Sequence, residues 1–260
     1  MKLIYRFSRV CGHRSLFALC LFGLSAVANA LPVSFSEDLA LPKILDSEKV
    51  VMRPGYSVVY NQEHKNPRWV AYVLTKDEVN ARWVSRTNEF HTDFAFGEPT
   101  ATPEDYKGSG YQRGHLTPAR DNEWSLTAMT DSFFMSNISP MKMSYNLGIW
   151  VQLERKVRSL AKTYGELFVA TGPVLESNLL KIHETAISIP NFYFKVMLEI
   201  KSKAPKAIGF VIPQKSPGSD LSKYAMSVDR VEEITGIDFF ESLTDEAESE
   251  IESKSDFADW

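Results

Sequence analysis

The chain is poor in cysteine. Its 260 residues hold two, Cys11 and Cys20, both among the first twenty, so a chain that loses its N-terminus has no disulfide to form. It also lacks a membrane-length apolar run: the stretch at residues 16–27 falls short of the ~20 residues a spanning helix needs. No internal repeat, low-complexity tract or Pro/Gly-rich linker divides it. With 44% apolar and 24% charged residues it is neither disordered nor collagen-like, and it is long enough to bury a core of its own.

The first thirty residues carry Lys2, Arg6, Arg9 and Arg14 and no acid, then the apolar run, then Ala28-Asn29-Ala30. That order of charged, apolar and small residues is the pattern of a secretory signal peptide, so residues 1–30 are expected to be removed and 31–260 to form one domain. The expected location is the periplasm or the outside of the cell, with no stable membrane association after cleavage. A mitochondrial transit peptide is the alternative, because the stretch is also Arg-rich and acid-free.

Charge is unevenly spread. Removing residues 1–30 leaves 25 Lys and Arg against 33 acids, a net −8, yet residues 229–260 hold twelve acids against Arg230 and Lys254. The body at 31–228 is therefore +2. The acidic end reads as a solvated helix, and the body leaves room for a local basic groove.

Strand-like runs occur at 56–60, 69–74, 167–170, 186–200 (interrupted by Pro190) and 207–212. Helical spacing is clearest over 147–164, stopped by Gly165; further helices are expected at 126–135 and 228–235, the last closing at Gly236. The irregular mixture of strands and helices, without βαβ repeats, points to an α+β fold.

Chemistry concentrates in two places. In Gly110-Tyr111-Gln112-Arg113-Gly114-His115-Leu116-Thr117-Pro118, read as a loop, a titratable base stands two residues after a fixed cation. A His can take a proton from water near neutral pH, and Arg113 can grip an anionic oxygen with its rigid fork of donors. Farther on, Asn146 opens the longest helical run, and Trp150, Glu154 and Arg158 follow at four-residue steps. Asn146, Glu154 and Arg158 then project from neighbouring parts of one face. Asn146 and Glu154 lie ~12 Å apart along an ideal axis, too far for both to bind one ion directly. Helical side chains lean toward the N-terminus, so Glu154 could hold waters of an ion bound by Asn146. One neutral oxygen and several waters suit Mg²⁺; Mn²⁺ or Ca²⁺ would accept the same ligands. By spacing alone the same residues also read as an Asn cap and a Glu154–Arg158 helix pair.

Taken together, Gln112 to His115 with Pro118 and Asp121, then Ser136-Asn137-Ile138-Ser139-Pro140, then Asn146 with Trp150, Glu154 and Arg158, resemble the DNA/RNA non-specific endonuclease family. This is a ββα-metal (His-Me finger) family, to which endonuclease G belongs. Weaker matches extend the resemblance over most of the chain: Trp69-Val70-Ala71-Tyr72, Thr171-Gly172-Pro173-Val174, Phe192-Tyr193-Phe194-Lys195 and Val228-Asp229-Arg230-Val231-Glu232.

The resemblance implies a central, mainly antiparallel sheet flanked by helices, and metal-dependent hydrolysis of DNA or RNA leaving 5′-phosphate ends. It implies His115 as general base, Asn146 as the direct Mg²⁺ ligand, Glu154 holding the metal's waters, and Asn137 supporting the His region. Arg113, Arg158 and Arg86 would contact phosphate. A homodimer and a protein inhibitor are open as partners. Two departures stand out: Gln112 where the family has Asp, and Met141 where it has Gln. They keep a second reading in view, a nucleic-acid-binding protein on the same fold that has lost catalysis.

Overall fold

Residues 69–74 set the architecture. Trp69 and Ala71 point to one buried face, and Val70, Tyr72 and Leu74 to the other. Period-two alternation with both sets apolar is the mark of a strand covered on both sides.

The computed structural model describes residues 37–215 and 217–260, and the expected signal segment lies outside these. The described residues group as one unit. In chain order the elements are β1 (Val50–Arg53), β2 (Tyr56–Asn61), β3 (Asn66–Thr75), α1 (Lys76–Asn80), β4 (Gln112–His115), α2 (Leu126–Ser132), β5 (Ile138–Met141), α3 (Met143–Tyr145) and α4 (Val151–Tyr164). There follow β6 (Glu166–Pro173), β7 (Phe192–Glu199), β8 (Lys206–Pro213), β9 (Ala225–Met226), α5 (Val228–Thr235) and α6 (Asp245–Glu252).

A seven-stranded sheet runs β1-β2-β3-β6-β7-β8-β9, and every neighbouring pair is antiparallel. The fold is thus α+β. On one face α4 buries Leu153, Val157, Leu160 and Ala161 against Tyr72, Val169, Met197 and Phe210. On the other, Val228 and Val231 of α5 pack with Trp69, Phe194, Val196 and Phe239. Alternation along β7 sends Lys195 to the same side as Tyr193 and Met197, beneath α4.

β4 and β5 form a separate two-stranded ribbon, with Gln112 opposite Met141, Arg113 opposite Pro140, Gly114 opposite Ser139 and His115 opposite Ile138. The segment read as a loop is therefore a short strand. Its ribbon needs glycine: a Cβ on Gly114 would stand 2.4 Å from the Met141 sulfur.

Three further expectations are corrected. The helix expected over 147–164 begins as α3, passes through a wide π-type turn at Asn146–Trp150 with non-helical backbone at Gly148 (φ −98°, ψ −113°), and runs regularly only from Val151. The helix expected to reach 135 stops at Ser132, because His91 captures the Phe133 carbonyl and takes the Met135 amide. The acidic tail does contain a helix, α6, but it is not wholly solvated, since Glu252 is buried.

Candidate active site

The ribbon and the kinked helix together bring the predicted residues to one region. His115 ends β4, and its carbonyl accepts a hydrogen bond from Trp150 Nε1 (3.2 Å) at the start of α4, which ties ribbon to helix. Its ring lies against Phe90 (centroids 5.4 Å) and edge-on to Phe133 (4.9 Å). The residue is 7% exposed, and Nε2 has no hydrogen-bond partner among the described residues. Burial, then the charges of Arg86 and Arg113, push its pKa down to about 3. The imidazole is thus neutral at physiological pH, a proton acceptor rather than a cation.

Each aromatic ring that holds His115 also carries an arginine. The Arg113 guanidinium sits 4.2 Å over Phe90, and that of Arg86 sits 5.0 Å over Phe133 while its Nε donates to Asn88 Oδ1 (2.6 Å). Arg86, Phe90, Lys107, Gln112, Arg113 and Asn146 line a cleft of about 460 Å³ with no carboxylate in its wall. A chain of net negative charge therefore presents a basic cleft.

Asn137 is fully buried and does not face this cleft. Its Oδ1 accepts from the Thr117 amide (2.9 Å), and Nδ2 donates to the carbonyls of Thr117 (2.9 Å) and Ser132 (2.8 Å). All three bonds go to main chain, so Asn137 fixes the turn that follows His115. Asn146, at the head of the wide turn, donates through Nδ2 to Gln112 Oε1 (2.8 Å). That bond turns the amide so that Oδ1 is its free acceptor.

Glu154 and Arg158 belong to a deeper cluster on α4. Arg158 Nη1 pairs with Asp121 Oδ1 at 2.8 Å. Lys195, 0% exposed, reaches the Leu116 carbonyl (3.5 Å) and lies 4.8 Å over the Trp150 ring. Two acids and two bases thus share a low-dielectric space. Burial, then Asp121, raise the Glu154 pKa against the pull of Lys195, Arg158 and Arg86, and burial lowers that of Lys195. Glu154 itself is half-buried, so its carboxylate keeps access to water beside these charges.

The structure therefore sets Arg113, Arg86 and Asn146 in the wall of the cleft, His115 against the wall residue Phe90, and Glu154 and Arg158 in a separate charged cluster, and leaves Asn137 as support. Sequence reasoning placed Asp121 and Lys195 in motifs without giving either a role, and it missed Phe90 and the Gln112–Asn146 bond. For Lys195 a signal existed: it is the one charged residue inside the apolar run of β7 before Glu199.

For a metal ion, the donors are the Asn146 oxygen and the Glu154 carboxylate, hard oxygens, with no thiolate among the described residues. This donor set fits Mg²⁺ or a similar ion.

A two-stranded ribbon feeding a helix, with a neutral His on the ribbon and an Asn at the head of the helix, is the ββα arrangement of a His-based nuclease fold. Comparison with known proteins agrees: the model of the DNA/RNA non-specific endonuclease family matches residues 43–246, and the chain belongs to that family. It is 31% identical over 206 residues to the mitochondrial nuclease EXOG of Mus musculus, covering 73% of this chain and 56% of that one. It is 30% identical over 251 residues to a nuclease of Serratia marcescens, covering 91% and 92%. The chain thus spans little more than half the length of the EXOG relatives it matches. Among solved structures, a chain from the complex of EndoG with EndoGI aligns with TM-score 0.73 at 24% identity, over 80% of this chain and 91% of that one, and so shares the fold.

Proposed function

We propose that this protein is a metal-dependent endonuclease that hydrolyses phosphodiester bonds of DNA, RNA or both. The observation that carries the reading is His115, neutral and without a partner for Nε2, set between two arginine-capped rings beside a basic cleft.

The scissile phosphate binds against Arg113 and Arg86, whose charges offset that of the five-coordinate transition state. A water takes its attacking position, and the His115 imidazole accepts its proton as the new P–O bond forms. The bond from phosphorus to the 3′-oxygen breaks, giving a 5′-phosphate and, with a proton taken from solvent water, a 3′-hydroxyl. Asn146 and, through water, Glu154 would hold a divalent ion, which when bound would supply charge neutralisation for the leaving oxygen. Arg158, paired with Asp121, places a charge near Glu154 that favours its carboxylate form. None of these groups reads a base edge, so phosphate contacts dominate affinity and binding weakens steeply with salt.

Export to the periplasm or beyond agrees with the N-terminal pattern; the mitochondrial names of several relatives support the alternative address. The EndoG–EndoGI complex makes a protein inhibitor a reasonable partner.

The test is digestion of supercoiled plasmid and total RNA by residues 31–260, with Mg²⁺ or EDTA, beside His115→Ala. Metal-dependent degradation absent from the variant supports the reading. Equal activity of His115→Ala would overturn it, and salt-sensitive binding without turnover would move the protein to the binding class.

A further inference from the structure

On the sheet face opposite α4, the acidic end of the chain folds back on itself. Asp229 and Glu232, three residues apart on α5, and Glu252 on α6 bring one carboxylate oxygen each to within 4.8 Å of one another. Among the described residues no other trio of His, Cys, Asp and Glu converges in this way.

Glu252 is the anomaly. It is 1% exposed, and neither carboxylate oxygen has a hydrogen-bond partner among the described residues. A buried carboxylate is tolerated when paired or bound to a metal. Here the local bases are engaged elsewhere: Arg230 with Glu233, Lys43 with Asp238 and Glu241, and Lys254 with Glu250. Glu232 is already oriented, since one of its oxygens accepts from the Phe239 amide at 2.7 Å and the other is left over. What the geometry lacks is a positive charge, and what it offers is hard oxygen at the spacing of ligands around one ion: at the 2.3–2.6 Å of a Ca²⁺–oxygen bond, two ligands span up to ~5 Å.

We propose that Asp229, Glu232 and Glu252 form a second divalent-cation site, separate from the catalytic one, in which a hard ion of the Ca²⁺ or Mg²⁺ class clamps α6 to α5. Carboxylates from two helices ligate it, so the ion fastens the C-terminal segment to the sheet. That segment continues to Phe257, edge-on to Phe210 at 6.0 Å, and to Trp260, whose main-chain oxygen accepts from Lys156 on α4. The clamp therefore holds a strap whose far end rests on the helix that carries Glu154. Flexible, carboxylate-rich coordination with room for waters favours Ca²⁺ over the strictly octahedral Mg²⁺.

Thermal melts of residues 31–260 in EDTA, Ca²⁺ alone and Mg²⁺ alone test this. At a hundredfold excess over its Kd, Ca²⁺ is expected to raise the midpoint by roughly 5–10 °C. The rise should persist in Asn146→Ala, which removes the direct catalytic-site ligand, and vanish in Glu252→Gln and in Asp229→Asn. Glu252→Gln keeps the volume of a protonated Glu252, so its midpoint in EDTA should match or exceed that of the parent. Asp229 is exposed, which keeps its variant folded should Glu252→Gln fail. Calorimetric titration should count one Ca²⁺ fewer in both carboxylate variants. The proposal falls if Ca²⁺ and Mg²⁺ both leave the parent's midpoint unchanged, if the shift survives in both carboxylate variants, or if Asn146→Ala alone abolishes it. A larger shift with Mg²⁺ keeps the site and reassigns its ion.

Discussion

Asn146 is held by Gln112: its Nδ2 donates to Gln112 Oε1 at 2.8 Å, across the gap between the ribbon and the wide turn. Gln112 also faces Met141 in the β4–β5 register, so the two departures from the family pattern are neighbours in space. A carboxylate at 112 would make the same bond and add a charge beside the ion. Gln112 makes it without the charge, and so orients Asn146 while contributing less to metal affinity. Gln112→Leu is expected to raise the Mg²⁺ concentration for half-maximal activity by about 10-fold at little cost to the rate at saturating metal. Gln112→Glu should lower that concentration below the parent's. Metal titrations of initial rate decide; identical curves for all three would detach Gln112 from the site.

His115 makes a prediction of opposite sign to that of an ordinary histidine. Burial, Arg86 and Arg113 hold its pKa down at about 3, so the basic form persists far below pH 6.5 in the free enzyme. The fall of kcat/KM on the acid side, where it reports His115, should lie well below pH 6. Arg113→Gln removes one of the depressing charges, so that limb should move upward, along with a rise in KM from the lost phosphate contact. A limb that stays put as KM rises would mean that Arg113 does not act on the base.

Asp121, Arg158, Glu154 and Lys195 balance one another in a buried space, and removing one partner leaves a charge uncompensated. Asp121→Asn is expected to cost about 3 kcal/mol, a fall of roughly 6–12 °C in melting midpoint for a domain of this size. Lys195→Met should cost a similar amount by stranding the two acids. Because each change leaves an excess of opposite sign, the double variant should lose less than the sum of the two. Full additivity in a thermal double-mutant cycle would show that Asp121 and Lys195 do not share one electrostatic environment.

The central sheet was legible because β2, β3, β6 and β8 are apolar runs of the right length between turn residues. Burial on both faces made those runs continuous, so their existence could be read although their pairing could not. β4 and β5 were not legible: four residues each, one with Gly114 and the other with Pro140, they become strands only through each other. The family resemblance singled out His115, Asn146 and Glu154 as candidates. It did not reveal that His115 is held neutral, since that depends on Phe90 and Phe133 from distant parts of the chain. Nor does helical spacing predict the wide turn, where Gly148 departs from helical geometry.

The acidic end predicts an inverted dependence of stability on pH. Burial, together with Glu232, Glu248, Asp229 and Asp238, raises the Glu252 pKa to about 9; burial and neighbouring acids raise that of Glu232 to about 7. Lys43 faces the group from the N-terminal side but is bound to Asp238 and Glu241. Both carboxyls titrate near 4.3 in the unfolded chain. Their folded values are higher, so the native state binds these protons more tightly. The stabilisation is fully present below the unfolded value and is lost as pH climbs through about 7 and then about 9. In EDTA the melting midpoint should therefore fall between pH 5 and pH 9, whereas carboxylates stabilised by ion pairs would give a rise. Glu252→Gln carries no proton to lose and should flatten most of that decline. Ca²⁺ competes with those protons, so its stabilising effect should be small at pH 5 and grow toward pH 9. Parallel pH profiles for the parent and Glu252→Gln in EDTA would show that the buried carboxyl is not what couples this end of the chain to pH.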